Sequence, residues 1–209
     1  MGAPGIVRPP IICLVTGGGE VRALLDAIVE AAQAGVDFIQ IREPGLADRT
    51  LMDLTREAVG ATRGTPCRIL VNDRFDIAMS ANASGVHLRS DSFPAARIRA
   101  ASPAGFLIGR SVHDVAEAEA AAPDCDYLIF GTVFPSASKP AGHRASGLPA
   151  LREVCAAVQI PVLAIGGISS GNVSDVASAG AAGIAAISLF RGREPMASVV
   201  AMVRRRFDT

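Results

Sequence analysis

Along this chain short, uniformly apolar runs alternate with longer stretches whose apolar residues recur at helical spacing. Residues 11–15 (IICLV) are all apolar. Residues 20–35 (EVRALLDAIVEAAQAG) place apolar side chains three and four apart and close on a glycine suited to a helix C-terminus. The couplet recurs as 36–42 with 48–62, where Asp48 reads as the N-cap, 68–72 with 73–82, and 85–88 with a helix from about Phe93 and Pro94. It continues as 105–110 with 115–122, 126–130 with 148–158, 161–167 with 170–180, and 183–190 with 196–207. The strands do not alternate apolar with polar, which predicts a parallel sheet covered by helices. Eight such units favour a single (β/α)8 TIM barrel of the α/β class over residues 11–209, after a Pro/Gly-rich leader at 1–10. An open doubly wound sheet is the alternative, but TGGGE after the first run lacks its glycine fingerprint.

Composition narrows the picture mainly by exclusion. The 209 residues are 50% hydrophobic and 19% charged, which suits one domain with a sizeable core. A formal net charge of +0 gives no pull toward nucleic acid or an anionic membrane. Every 18-residue window is broken by charge, Gly or Pro, and the N-terminus lacks the apolar segment of a signal peptide, so the expectation is a cytoplasmic protein without a membrane span. Cys13, Cys67, Cys125 and Cys155 have no metal-type spacing and are expected as buried, reduced thiols. Arg204, Arg205 and Arg206 read as the solvated end of the last helix, complementing its dipole.

The longest connection, 131–147, carries Ser136, Ser138 and Lys139 among Gly and Pro. Such a segment supplies the donors and close approach of a phosphate-binding loop, and equally suits a mobile surface loop with a solvated lysine. In a barrel the site lies where strands exit at their C-terminal ends. The exits carry Gln40, Arg42 and Glu43; Asn72, Asp73 and Arg74; His87, Arg89 and Asp91; Arg110, Ser111 and His113; Gly166 and Gly167; and Ser188. Asp73 and Asp91 leave neighbouring strands as hard oxygen ligands suited to Mg2+, or each merely caps a helix. Arg42 and Lys139 would meet the same phosphates, unless Arg42 pairs with Glu43. Gly166 and Gly167, a helix opening near Ser170, and Ser188 match the phosphate site that barrels build after strands seven and eight. His87 is expected to be a packed strand residue ahead of a general base, His113 to begin a helix, and His143 to be exposed in the long loop.

Seven stretches in one order carry a family resemblance: QIRE (40–43), NDRFDIA (72–78), GVHL (85–88), GRSVHD (109–114), DYLIFGTVFPSASK (126–139), IPVLAIGGIS (160–169) and GAAGIAAIS (180–188). They resemble the thiamine phosphate synthase and thiazole tautomerase superfamily. The resemblance implies small phosphorylated substrates, Mg2+ at Asp73 and Asp91, and a diphosphate clamp of Arg42, Asn72 and Lys139. It also implies Gln40 and Ser111 on a pyrimidine, Ser136 and Ser138 on the thiazole phosphate side, and Gly167, Ile187 and Ser188 as its cradle. A homodimer through outer helices is a further expectation. In the synthase, a hydroxymethylpyrimidine diphosphate loses pyrophosphate and the thiazole nitrogen captures the resulting cation. Pro44 stands where the synthase pattern usually has lysine, serines replace the usual loop threonines, and Arg89 and Ser90 replace the usual GQ after GVHL. Arg89 is read as a replacement for the missing lysine charge. Thr132 stands where the tautomerase carries histidine, and threonine cannot move a proton near neutrality. Synthase is the leading expectation, with the tautomerase and a non-catalytic thiazole phosphate-binding barrel as alternatives.

Overall fold

In a computed structural model describing residues 9–136 and 144–208, the apolar runs form eight strands. They are β1 (Ile11–Val15), β2 (Phe38–Ile41), β3 (Arg68–Asn72), β4 (Gly85–Leu88), β5 (Leu107–Val112), β6 (Tyr127–Gly131), β7 (Val162–Ile165) and β8 (Gly183–Ala186). Each pairs in parallel with its successor, and β8 returns to β1 to close the barrel. The intervening helices are α1 (Val21–Gln33), α2 (Asp48–Ala61), α3 (Phe75–Ser80), α4 (Ala95–Ala101), α5 (Val115–Ala121), α6 (Gly147–Ala157), α7 (Val173–Ser178) and α8 (Met196–Phe207). None of the described helices is long and apolar enough to cross a membrane.

Successive strand residues point to opposite faces, so continuously apolar strands serve two cores. Cys13, Phe38, Leu70, Tyr127, Leu163 and Ala185 fill the barrel. Ile39, Val71, Ile108, Leu128 and Ile184 face outward and pack on helix residues such as Ile28, Leu54, Val154 and Val203. α1 shows the helical logic: Leu24, Ile28, Ala31 and Ala32 form its buried stripe, and Glu20 caps it by accepting the Ala23 N–H at 3.2 Å.

The N-terminal face of the barrel is closed by two charged clamps. Asp37, just before β2, accepts the Ile12 N–H at 2.8 Å, and Arg204 reaches its carboxylate at 3.1 Å. Arg204 also donates to the carbonyls of Pro10 (3.1 Å) and Gly35 (2.8 Å). Asp126, just before β6, accepts the Ile108 N–H at 2.7 Å and pairs with Arg99 at 2.6 Å. Arg99 donates further to the carbonyls of Phe106 (2.8 Å) and Asp124 (3.4 Å). Burial pushes the Asp37 carboxyl above its ordinary range although Ile12 and Arg204 pull the other way.

Several local expectations change. Residues 183–190 are not one strand: β8 ends at Ala186, Ile187 turns helical, and Ser188–Arg191 form a 3-10 turn that tucks Phe190 into the outer core. The apolar run is continuous because strand and turn both bury side chains. Asp48 occupies the first turn of α2 and Ala47 the cap position, the Asp48 carboxylate being drawn to Arg74. His113 precedes α5, whose cap is Asp114. Arg204 is a structural clamp instead of a solvated helix end. The cysteines are free thiols, three buried and Cys155 partly so. Burial raises Cys67 and Cys125 to about 12 and Cys155 to about 11.

Candidate functional site

Alternation along β2 to β5 brings Gln40, Asn72, His87 and Ser111 to the floor of the barrel mouth, above the apolar filling. Gln40 is 3% exposed; its Nε2 donates to Asn72 Oδ1 at 2.8 Å, while its Oε1 is buried without a partner among the described residues. His87 bridges floor and interior, with Nε2 2.9 Å from Ser111 Oγ and Nδ1 3.1 Å from the Tyr127 hydroxyl. Tyr127 is fully buried, and its ring fills the space above Gly109, where a Cβ would lie 2.1 Å from a ring carbon. Glycine at 109 is therefore a packing requirement. Burial, with Arg110 adding repulsion, lowers the His87 imidazole to about 3, and burial holds the Tyr127 phenol well above its ordinary value. Both groups are neutral at physiological pH.

The rim beyond β3 and β4 differs from the two-carboxylate expectation. Asp73 has a positive φ of 62° and is held there by its N–H bond to the His87 carbonyl at 2.9 Å. The Ser92 hydroxyl donates to its carboxylate. Asp91 instead pairs with Arg89 at 2.6 Å, with both side chains largely exposed. Neither aspartate caps a helix, since Arg74 and Pro94 occupy those positions. The loop is fixed from β5: Arg110 donates to the carbonyls of Phe93 (2.9 Å), Ser90 (2.7 Å) and Ser92 (3.1 Å). Ser92 Oγ also accepts the Arg89 N–H at 2.8 Å. These bonds turn Ser92, one residue beyond Asp91, toward Asp73. Arg89 is engaged by Asp91 and is not a free substitute for a lysine. Arg74 is likewise committed to Asp48 and, bidentately, to Asp76 at 2.9 and 2.7 Å. Those bonds raise Arg74 and lower Asp76 from their ordinary values.

Arg42 is different. Its guanidinium is exposed and has no partner among the described residues, while its N–H is tied to Thr16 Oγ1 at 2.9 Å. Glu43 does not pair with it: that carboxylate is buried and accepts the Gly18 N–H at 2.8 Å. A divalent cation that keeps its waters and takes phosphate oxygens needs only one or two protein carboxylates. Asp73, half-buried beside a hydroxyl, fits that need; Asp91 is more exposed and meets Arg89 through one carboxylate oxygen. The described residues contain no cluster of three or more His, Cys, Asp or Glu able to cage a metal.

Across the mouth, the chain leaving β6 runs over the end of β7. Val133 N–H donates to the Ile165 carbonyl at 2.9 Å and Phe134 N–H to that of Gly166 at 3.1 Å. Gly166 and Gly167, with φ of 98° and 62°, mark this close approach: a Cβ on Gly167 would lie 2.5 Å from the Pro135 carbonyl oxygen. They are thus covered on one side by the loop. Asn172, which the sequence reading passed over, braces the turn by donating to the Gly167 carbonyl at 2.9 Å and accepting the Ser169 N–H at 2.8 Å. Its place directly before α7 was the available signal. Ser188 is exposed at the start of the 3-10 turn, and Ile187 is half-buried against Gly17. Ser136 is half-buried on the β6 side, whereas Ser138, Lys139 and His143 lie outside the described residues. His113 pairs with Glu117 at 3.0 Å on the exposed start of α5.

Comparison with known proteins is consistent along the chain. The family described as thiamine monophosphate synthase matches residues 12–190. A thiamine-phosphate synthase of Methanoculleus marisnigri is 40% identical over 189 residues, 90% of each chain. That of Chlorobium luteolum is 38% identical over 180 residues, 86% of this chain and 84% of its own. Among solved structures, a thiamine phosphate pyrophosphorylase from Pyrococcus furiosus superposes with a TM-score of 0.81 at 31% identity, covering 95% of both chains.

Proposed function

The chain belongs to the thiamine monophosphate synthase family, and from that premise we propose that it joins hydroxymethylpyrimidine diphosphate to thiazole phosphate, forming thiamine phosphate and pyrophosphate. The observation that carries this reading is the neutral hydrogen-bonding floor of Gln40, Asn72, His87 and Ser111, set between an Arg42/Asp73 side and a Gly167/Ser188 side. A floor of that kind suits a flat polar ring, and the flanks suit the two anionic groups the reaction brings together. The bond from the pyrimidinylmethyl carbon to the diphosphate oxygen breaks, and the thiazole nitrogen supplies the electron pair for the new bond. That step needs no general base. Instead it needs charge stabilised on the leaving group.

Arg42, whose guanidinium has no partner among the described residues, could fork onto phosphate oxygens, and Asn72 and Lys139 would join it in the same clamp. Asp73 would hold Mg2+ together with substrate phosphate oxygens and water; the cation would neutralise charge on the departing diphosphate. Asp91 has no part in this version of the site. A proton-transfer enzyme is disfavoured because His87, with both ring nitrogens bonded and its pKa lowered to about 3, is no base near pH 7. A cytoplasmic location and a homodimer, readable by sedimentation, accompany the proposal.

The test is pyrophosphate release from hydroxymethylpyrimidine diphosphate, with and without thiazole phosphate and with and without Mg2+. Release that requires both is the expected result. A folded sample that releases none in any combination rejects the reading.

A further inference from the structure

We propose that Tyr127 and His87 are positioning residues that fix the Ser111 hydroxyl as a donor toward an acceptor ring nitrogen of the pyrimidine substrate, an inference that rests on the proposed synthase reading, in which Ser111 contacts that ring. Tyr127, His87 and Ser111 form a buried line of hydrogen bonds in which each proton has one place to go. The Tyr127 hydroxyl is fully buried, and His87 Nδ1 at 3.1 Å is its partner among the described residues. A phenol has one proton to give. Were Tyr127 the acceptor, that proton would point into the apolar interior beside Phe38 and Gly109 and remain unpaired, which is the costly arrangement. Tyr127 therefore donates to Nδ1.

A neutral imidazole accepting at Nδ1 carries its proton on Nε2. That Nε2–H faces Ser111 Oγ at 2.9 Å and donates to it. Ser111 then cannot give its proton back to His87, so the hydroxyl turns toward the barrel mouth, where the residue is partly exposed. Its neighbour on the floor has the opposite character. Gln40 commits its amide nitrogen to Asn72 and leaves a buried, unpartnered oxygen, an acceptor. Ser111 thus supplies the donor that complements it. Gly109 belongs to the same device, because only a residue without Cβ lets the Tyr127 ring lie where its hydroxyl meets Nδ1.

Two measurements decide the matter. The chain has three histidines, so nitrogen-15 NMR of the labelled full chain at neutral pH resolves few imidazoles, and His87→Gln identifies the relevant one. The expected result is a single His87 tautomer protonated at Nε2; protonation at Nδ1 overturns the relay. Kinetics then compare hydroxymethylpyrimidine diphosphate with an analogue in which the acceptor ring nitrogen is CH. The wild type is expected to prefer the natural ring by about tenfold, the scale of one well-made hydrogen bond. Tyr127→Phe, which keeps the ring in its slot, is expected to shrink that preference to about twofold, mainly through KM, with thermal unfolding retained. Ser111→Ala is expected to do the same and stands in if the tyrosine variant fails to fold. An undiminished preference in a folded variant overturns the proposal. Absence of turnover in the wild type rejects the synthase reading itself and leaves the tautomer measurement to decide the relay.

Discussion

Keeping His87 neutral inside the barrel has a consequence on acidification. The unfolded chain takes up a proton at this residue below the ordinary 6.5, whereas the folded chain resists until about 3. With more protons bound unfolded than folded, stability falls as pH drops through that window, by up to about 1.4 kcal/mol per pH unit. Between pH 6.5 and pH 5 the wild type is therefore expected to lose about 2 kcal/mol more than His87→Gln, read by denaturant titration at the two pH values. Parallel losses would mean that His87 is not the group responsible. At the rim, Asp73→Asn is expected to lower turnover by about 10²- to 10³-fold, the scale of losing one preorganised electrostatic contact. Asp91→Asn should cost less than about threefold, because Arg89 already occupies that carboxylate. Comparable losses in both would show that the Arg89 pair opens during the reaction. The sequence made both aspartates visible as strand-exit carboxylates but gave no view of their direction. That direction depends on Arg110 capturing the carbonyls of residues 90, 92 and 93, a contact between elements with no local signature.

Among elements, the strands and helices were legible because each apolar run is bounded by glycine or polar residues and each helix repeats at its own period. The end of β8 was not, since Ile187, Leu189 and Phe190 keep the run apolar while the backbone has already turned. The glycines after β7 were visible as a backbone feature, yet their reason is tertiary: residues 132–135 lie across them. Gly167→Ala meets the Pro135 carbonyl and the Phe134 Cβ at a positive φ, and is expected to destabilise by about 1–3 kcal/mol. It should also weaken thiazole phosphate binding, while Gly171→Ala, with only the Ser169 hydroxyl at 3.8 Å, serves as the tolerated control in the same calorimetric comparison. Unchanged stability in Gly167→Ala would show that the β6 loop yields easily.

For the whole molecule, the clamps on the N-terminal face carry stability while the opposite mouth carries chemistry. Asp126→Ala strips the acceptor from a buried Ile108 N–H and leaves Arg99 with carbonyls alone, an expected loss of about 2–4 kcal/mol. Asp37→Ala should cost a similar amount, and the two losses should add, as the sites share no partner. A melting series of the two single variants and the double variant checks this. The clamps correspond atom for atom: aspartate to the second residue of the preceding strand, arginine to that aspartate and to the carbonyls two residues before each. They stand four strands apart on the ring. Divide the chain between α4 and β5, and each half holds the aspartate that the other half's arginine serves: Asp37 with Arg204, Asp126 with Arg99. This reciprocity is the rule of an isologous two-fold interface, in which residue i meets j and j meets i. The barrel therefore closes on itself as two copies of a half-barrel would dimerise, each half supplying the arginine for the other half's aspartate.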